Sequence, residues 1–76
     1  MKYKYTIIKG HYISEEGQKY IAYGIILFKK EQKGFVAVRI VQDVFFEHKK
    51  AKDFVDLCNQ NELSPIHLDD VIEDVL

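Results

Sequence analysis

The sequence predicts an α+β fold, a three-stranded antiparallel β-meander followed by one longer and one short C-terminal α-helix. Up to about residue 42, runs rich in Ile, Val, Tyr and Phe alternate with two short polar segments that contain glycine, a pattern typical of hairpins. Beyond that point, apolar residues recur three and four positions apart, which is the period of an amphipathic helix. Because 76 residues suit one domain, we interpret 1–76 as a single domain.

Two turn segments divide the first half into strands. In SEEGQ, Ser14 suits the first position of a type I turn and Gly17 the left-handed position that closes it, and EQKGF repeats this chemistry with Gly34. Both connections are short, so consecutive strands should pair antiparallel with the second strand in the middle. We expect the strands at about 2–13, 19–30 and 35–42.

Two apolar stripes predict the helices. The first stripe, at spacings i, i+3, i+4 and i+7, consists of Ala51, Phe54, Val55 and Cys58, and it predicts a helix over about 47–61. The second, at the same spacings, consists of Leu68, Val71, Ile72 and Val75. Ser64 can cap this tail helix and Pro65 suits its first position, so we expect it over about 65–75.

Charge and cysteine content narrow the class of protein. Residues 1–42 carry eight Lys or Arg and three Glu, whereas residues 43–76 carry three Lys and nine acids. Such a charge asymmetry is informative about binding partners and association rather than about the fold. MKYKYTII has no apolar core of a signal peptide, and no run approaches the roughly 18 apolar residues of a membrane span. Cys58 is the only cysteine. We therefore expect a cytoplasmic protein that contacts no membrane.

The tail segment LSPIHLDDVIEDVL raises the question of a metal or acid–base site. His67, Asp70 and Asp74 lie at i, i+3 and i+7, and one imidazole with two carboxylates is a plausible donor set for Zn²⁺ or Mn²⁺. The same spacing arises whenever an amphipathic helix has an acidic polar face. We favour this solvated-face interpretation and expect no metal or other cofactor.

A catalytic role is not expected either. Cys58 lies on the apolar stripe of the first helix, where a small buried hydrophobe is the ordinary interpretation. A nucleophile needs an accessible, electropositive surrounding, whereas Asp53, Asp56 and Glu62 lie nearby in sequence. The two glycine turns match no phosphate-binding or dinucleotide-binding fingerprint. We predict that the protein is not an enzyme.

The middle strand is the most informative segment for function. YIAYGIILF is apolar in both phases of the strand, whereas antiparallel sheets of small domains usually have one wet face. If both helices pack on one side, the other side exposes an apolar, tyrosine-rich patch of the kind that marks interaction sites. The predicted centre of that interface comprises Tyr3, Tyr5, Ile7, Tyr23, Ile25 and Leu27. Alternatively, one helix covers each face and no patch remains.

The basic first half also permits nucleic-acid binding. In MKYKY, strand alternation separates the lysines from the tyrosines, whereas base stacking works best with aromatic and cationic side chains on one face. Lysine on an edge strand also commonly prevents edge pairing. The cationic set for this alternative is Lys2, Lys4, Lys29, Lys30, Lys33 and Arg39.

The stretch LSPIHLDDVIEDVL, after CNQNE, resembles the C-terminal part of a family of small uncharacterised proteins from spore-forming anaerobic bacteria, a domain of unknown function. Members have three strands, then a helix, and end in a similar Leu-Ser-Pro-x-His-Leu tail. The resemblance covers Asn59 to Leu76 and is loose over the strands. It implies a bacterial, cytoplasmic origin and supplies no activity or site residues.

From the residues themselves, the first functional prediction is a small, non-catalytic interaction or regulatory protein that acts through protein–protein contacts as a homo-oligomer, with a homodimer as the simplest form. The alternative is a nucleic-acid-binding sheet.

Overall fold

A meander of three antiparallel strands followed by helices confirms the predicted α+β class. The computed structural model describes residues 2–76. Its elements, in chain order, are β1 (Tyr3–Ile13), β2 (Lys19–Glu31), β3 (Gly34–Phe45), α1 (His48–Gln60), a short 3-10 turn (Pro65–His67) and α2 (Leu68–Val75). The strand order is β1-β2-β3, so β2 is central and β1 and β3 are the edges.

The first connection folds as its sequence predicts. Gly17 donates its N–H to the Ser14 carbonyl at 2.9 Å and has φ +82°, a left-handed conformation that glycine adopts without steric cost. The Ser14 hydroxyl also accepts from the N–H of Gln18 at 3.1 Å. These bonds fix the β1–β2 register, in which Tyr5 faces Leu27 and Ile7 faces Ile25.

β3 continues three residues beyond the predicted end at 42, and two irregularities in its pairing with β2 explain the difference. Val41 pairs with Ile25 and Phe45 with Tyr23, so β3 carries extra residues opposite Gly24, one of which, Asp43, has φ +58°. A second shift lies between Leu27 and Phe28. In simple alternation from the start of β3, Phe45 would share the face of Phe35. The single extra residue at this second shift reverses the phase, and the two extra residues opposite Gly24 leave it unchanged. Phe45 therefore lies in the core, where it is 7% exposed.

The core lies between one face of the sheet and the helices. From α1, Ala51, Phe54, Val55 and Cys58 are all buried, as their stripe predicts. The Phe54 ring lies 5.5 Å from that of Phe45, which ties α1 to the end of β3. α2 contributes Leu68 and Ile72 to the same core cluster.

The tail is not one continuous helix. Residues 65–67 form a 3-10 turn, and α2 starts at Leu68. Ser64 holds the cap position of that turn, but its side chain makes no capping bond. Before this turn, α1 ends at Gln60, and Glu62, two residues further on, has a left-handed φ of +49°. The N–H of Leu63 donates to the Cys58 carbonyl at 2.9 Å, which makes this a Schellman-type helix end. Among residues 2–76, neither helix has the length and apolarity needed to cross a membrane.

Candidate interaction surface

The six residues expected at the centre of an interface lie instead on the face that the helices cover. Tyr5, Ile25 and Leu27 are buried in the core cluster, and three half-buried neighbours pack against it. These neighbours are Tyr3, Ile7 and Tyr23. The prediction that these six residues lie on the uncovered face is therefore wrong. Both phases of β2 are apolar, and periodicity cannot tell which one the helices cover.

Tyr5 shows why this face belongs to the core. Its hydroxyl donates to the Leu63 carbonyl at 2.8 Å, and burial raises the pKa of Tyr5 to about 12. The Asn59 side chain accepts from the Tyr5 N–H at 2.8 Å and donates to the Tyr5 carbonyl at 2.9 Å. Tyr5 thus joins the edge strand β1 to the end of α1, where it stabilises the fold and is closed to a partner.

The opposite side of the sheet, which we call the open face, belongs to the other strand phase. The register places Thr6, Ile26 and Ile40 in one row and Lys4, Phe28 and Ala37 in the next. None of these residues belongs to the core cluster that the helices close. On β3, Ile40 is 52% exposed and Phe35 44%. The open face also includes Ile8, Gly10, Tyr12, Tyr20, Ala22, Gly24 and Lys30.

An aromatic cluster lies at one end of the open face. The rings of Tyr12 and Tyr20 stack with centroids 5.5 Å apart, and Phe46 meets Tyr20 edge-on at 6.1 Å. A Cβ on Gly10 would meet the Tyr12 ring, so glycine lets this ring lie flat across β1. The Tyr20 hydroxyl donates to a carboxylate oxygen of Asp43 at 2.8 Å, and this hydrogen bond raises the pKa of Tyr20.

The other end of the open face is basic. The Lys4 ammonium lies 5.9 Å from the centre of the Phe35 ring, within the range of a cation–π contact. Lys30 pairs with Phe35 across the β2–β3 hairpin, and its N–H donates to the Lys2 carbonyl at 2.9 Å. The open face therefore runs from a lysine-rich end, through an apolar middle, to an end that holds Asp43.

The two edges of the sheet differ. Asn59 satisfies backbone groups on the outer side of β1 at Tyr5. Along β3, within residues 2–76, no hydrogen bond to a helix, loop or side chain serves the outer backbone of the strand. Apolar side chains are also exposed there, including Val36 and Val38, each 51% exposed. β3 is thus the less protected edge, although its bulges interrupt regular pairing.

The cations named for nucleic-acid binding are divided by the fold. Lys4 and Lys30 lie beside Phe35 at the basic end of the open face, and Lys33 lies in the neighbouring turn. Lys2 instead lines a cavity with Tyr3, Glu62 and Ser64. Lys29 follows the opposite strand phase. Arg39 lies on the helix side, where its Nη1 donates to Asp69 of α2 at 3.1 Å; this partner raises the pKa of Arg39 and lowers that of Asp69.

The remaining candidate residues are the three polar residues of the tail and Cys58. His67 ends the 3-10 turn, and Asp70 and Asp74 are exposed on α2. In the part of the chain that the structure describes, no three His, Cys, Asp or Glu side chains come together in a way that would hold a metal ion. Cys58 is buried, and burial raises the pKa of its thiol to about 11, opposite to what a nucleophile requires.

Sequence reasoning missed the open-face residues as interface candidates. The sequence did contain a signal for which face the helices leave uncovered. Three small residues share one phase of β1 and β2, namely Gly10, Ala22 and Gly24. A phase with small residues leaves little apolar volume to bury against a helix, whereas the other phase offers Tyr5, Ile25 and Leu27.

Comparison with known proteins gives a family but no activity. The model of a "Family of unknown function (DUF6514)" matches residues 1–76. No curated protein and no solved structure matches the chain.

Proposed function

We propose that this chain, which belongs to the family of unknown function DUF6514 over residues 1–76, acts by binding protein rather than by catalysis, and that the open face is its contact surface. The observation that supports this is the uncovered apolar row in the middle of the sheet, where Ile40 is 52% exposed. Helices cover only one side of a sheet that is apolar on both.

The composition of the open face suits a protein partner. Tyr and Phe provide large contact area, and Tyr adds a polar tip. Charge is confined to the ends, so the middle can be dehydrated without burying an unpaired ion. Catalysis lacks comparable support, because Cys58 is buried, its thiol pKa is raised by that burial, and the tail acids are solvent-exposed.

The partner proposed first is a second copy, so that the protein is a homo-oligomer. A face with cations at one end and a carboxylate at the other is self-complementary when two copies meet in opposite directions, as a twofold axis permits. We also propose a bacterial cytoplasm as its setting, since the single cysteine suits a reducing compartment and the tail resembles that of bacterial proteins.

The test compares two matched lysine substitutions on β3. Ile40→Lys places a charge on the β3 member of the middle row of the open face. Val36→Lys alters an equally exposed residue of the same strand whose register partner, Lys29, follows the opposite phase. We expect light scattering to show a native oligomer that Ile40→Lys dissociates and Val36→Lys leaves intact, with both variants folded by circular dichroism.

Three outcomes would contradict the proposal in different ways. A native protein that is monomeric at high micromolar concentration would remove self-association. Equal dissociation by both lysine variants would mean that the contact does not depend on the open face. An oligomer unchanged by Ile40→Lys would place the contact elsewhere on the molecule.

One observation favours nucleic-acid binding as a second candidate. The Lys4 ammonium lies 5.9 Å from the centre of the Phe35 ring on the open face, with Phe28 and Lys30 beside them. Cations and aromatic rings that could stack on bases therefore share one surface, although strand alternation in MKYKY separates the lysines from the tyrosines. Fluorescence anisotropy with a labelled single-stranded oligonucleotide tests this. Binding that falls steeply with salt and is lost in Phe35→Ala would support it; no binding at low salt would exclude it.

A further inference from the structure

We propose a specific arrangement for the self-association, which rests on the function proposed above. Two open faces pack against each other about a twofold axis that lies between the sheets and runs across the strands. In this arrangement the Lys4 ammonium of each copy meets the Asp43 carboxylate of the other. The interface has an apolar centre around Ile26 and Ile40 and two identical ion pairs at its rim.

The size of the open face fits a dimer interface. Three strands about 4.8 Å apart, taken over about ten residues at roughly 3.3 Å each, give a flat area on the order of 450 Å² per copy. Side chains that stand up from the sheet raise the accessible area above this figure. Two copies thus approach the lower end of the roughly 1,200–2,000 Å² that stable interfaces bury, and sheets commonly pack face to face in this way.

Electrostatics selects the direction in which the two faces meet. A twofold axis running along the strands would place the basic end of one copy over the basic end of the other, and like charges brought together oppose association. An axis running across the strands instead places each basic end over the end with Asp43. The second arrangement pairs opposite charges twice, because a twofold contact is reciprocal.

The positions of the two charges agree with that axis. Lys4 starts on β1, but its ammonium reaches across the sheet to Phe35 on β3, which is the strand that also carries Asp43. Phe35 pairs with Lys30, and Asp43 lies beside Gly24, so the charges are separated along the strand by about six residues, on the order of 20 Å. An axis that crosses β3 between them exchanges their positions.

Asp43 is suited to a contact of this kind. It is exposed, and the hydrogen bond from Tyr20 occupies Oδ2, which leaves Oδ1 for an ammonium. The bulge that gives Asp43 a φ of +58° raises it out of the regular strand. The stacked rings of Tyr12 and Tyr20 lie beside it, and the methylene groups of a lysine can pack against them.

A double-substitution cycle tests the arrangement. Lys4→Met and Asp43→Asn remove the charges, and asparagine tolerates the left-handed conformation and keeps an acceptor for Tyr20. We expect each substitution to raise the dimer dissociation constant about 2- to 30-fold, since each removes both copies of an exposed ion pair. The double variant should have the same dimer dissociation constant as the single variants, because either substitution alone already removes the Lys4–Asp43 ion pair.

Matched controls carry the same chemical changes elsewhere. Lys9→Met alters the same strand in the other phase, and Asp74→Asn alters an exposed acid of α2; neither should change the dissociation constant. The native dimer should weaken with salt, and the double variant should show less of this dependence. Sedimentation equilibrium measures all of these quantities.

The outcomes separate this arrangement from the broader proposal. A dimer that Ile40→Lys dissociates but that Lys4→Met and Asp43→Asn leave unchanged overturns the arrangement and leaves open-face contact standing. Additive effects of the two substitutions would also overturn it, because independent sites do not form a pair. A monomeric native protein overturns both.

Discussion

Gly24 lies where the sheet has no room for a side chain. A Cβ built there would approach the Val41 carbonyl oxygen and lie 2.9 Å from the Gln42 Cα, and both obstacles are backbone. The bulge of β3 folds over this point, so the backbone of one strand occupies the space that a side chain on β2 would need.

We therefore predict that Gly24→Ala destabilises the protein by at least about 2 kcal/mol, since the bulge must shift or open to admit a methyl group. Urea denaturation measures this. Gly17→Ala is the comparison: nothing lies within 4 Å of a Cβ there, so only the cost of the left-handed φ, about 1–2 kcal/mol, applies. A Gly24→Ala variant as stable as the native protein would show that the bulge is not rigid.

Cys58 provides a prediction on pH. Burial raises the pKa of its thiol from 9.0 to about 11, so the folded chain holds the proton more tightly than the unfolded chain. The contribution of this protonated thiol to the stability of the folded state is fully present below pH 9 and is lost as the pH rises towards 11.

The burial of the thiol can be tested by alkylation. We expect slow alkylation by iodoacetamide at pH 8 in the native state and fast alkylation in urea. Comparable rates in both would contradict the burial of this thiol.

At the scale of elements, α1 is anchored by one large side chain. Phe54 is 5% exposed and contacts Phe45 at the end of β3. Phe54→Ala should cost roughly 3–5 kcal/mol, a typical large-to-small loss in a core, which is enough to unfold much of a domain this small. Leu57→Ala, in the same helix but 58% exposed, is the control. A loss below about 1 kcal/mol for Phe54→Ala would mean that α1 is held elsewhere.

The acidic side of α2 is predicted to bind no metal tightly. The buried positions Leu68 and Ile72 already account for the helical spacing that leaves Asp70 and Asp74 in solvent. His67 belongs to the preceding 3-10 turn, so the three groups do not share one regular helix. Elemental analysis of protein purified without chelator should show no stoichiometric zinc or manganese; near-equimolar metal would refute this.

At the scale of the whole molecule, Asn59 connects the last part of the chain to the first strand. Its amide makes two hydrogen bonds with the Tyr5 backbone, 54 residues away. We expect Asn59→Asp to cost about 1–3 kcal/mol, because the carboxylate cannot donate to the Tyr5 carbonyl, which is left unsatisfied. Thermal unfolding above pH 6 checks this. Asn61→Asp is the control, since Asn61 bonds only within its own helix end.

The two helices leave the molecule with unequal faces and unequal edges. Asn59 protects the β1 edge and the helices cover one face, whereas within residues 2–76 no helix packs on the open face or along the β3 edge. The surfaces without helix cover therefore adjoin each other along β3. A second copy on the open face would also shield the exposed side chain of Ile40.

The sequence by itself determined the class and order of elements, because these follow from local periodicity and turn chemistry. Neighbouring residues are enough to identify the apolar stripe that ends at Cys58, the glycine of the first turn and the apolar character of both phases of β2. The tertiary structure alone decided which phase meets the helices, since that choice depends on contacts such as Asn59 with Tyr5, between residues 54 positions apart. It also decided where the pairing of β3 becomes irregular: one extra residue between Ala37 and Arg39 places Phe45 inward, and two extra residues opposite Gly24 place Asp43 on the open face. An inserted residue reverses strand phase without any local signal, so the face that the helices leave uncovered could not be identified until the strands were paired.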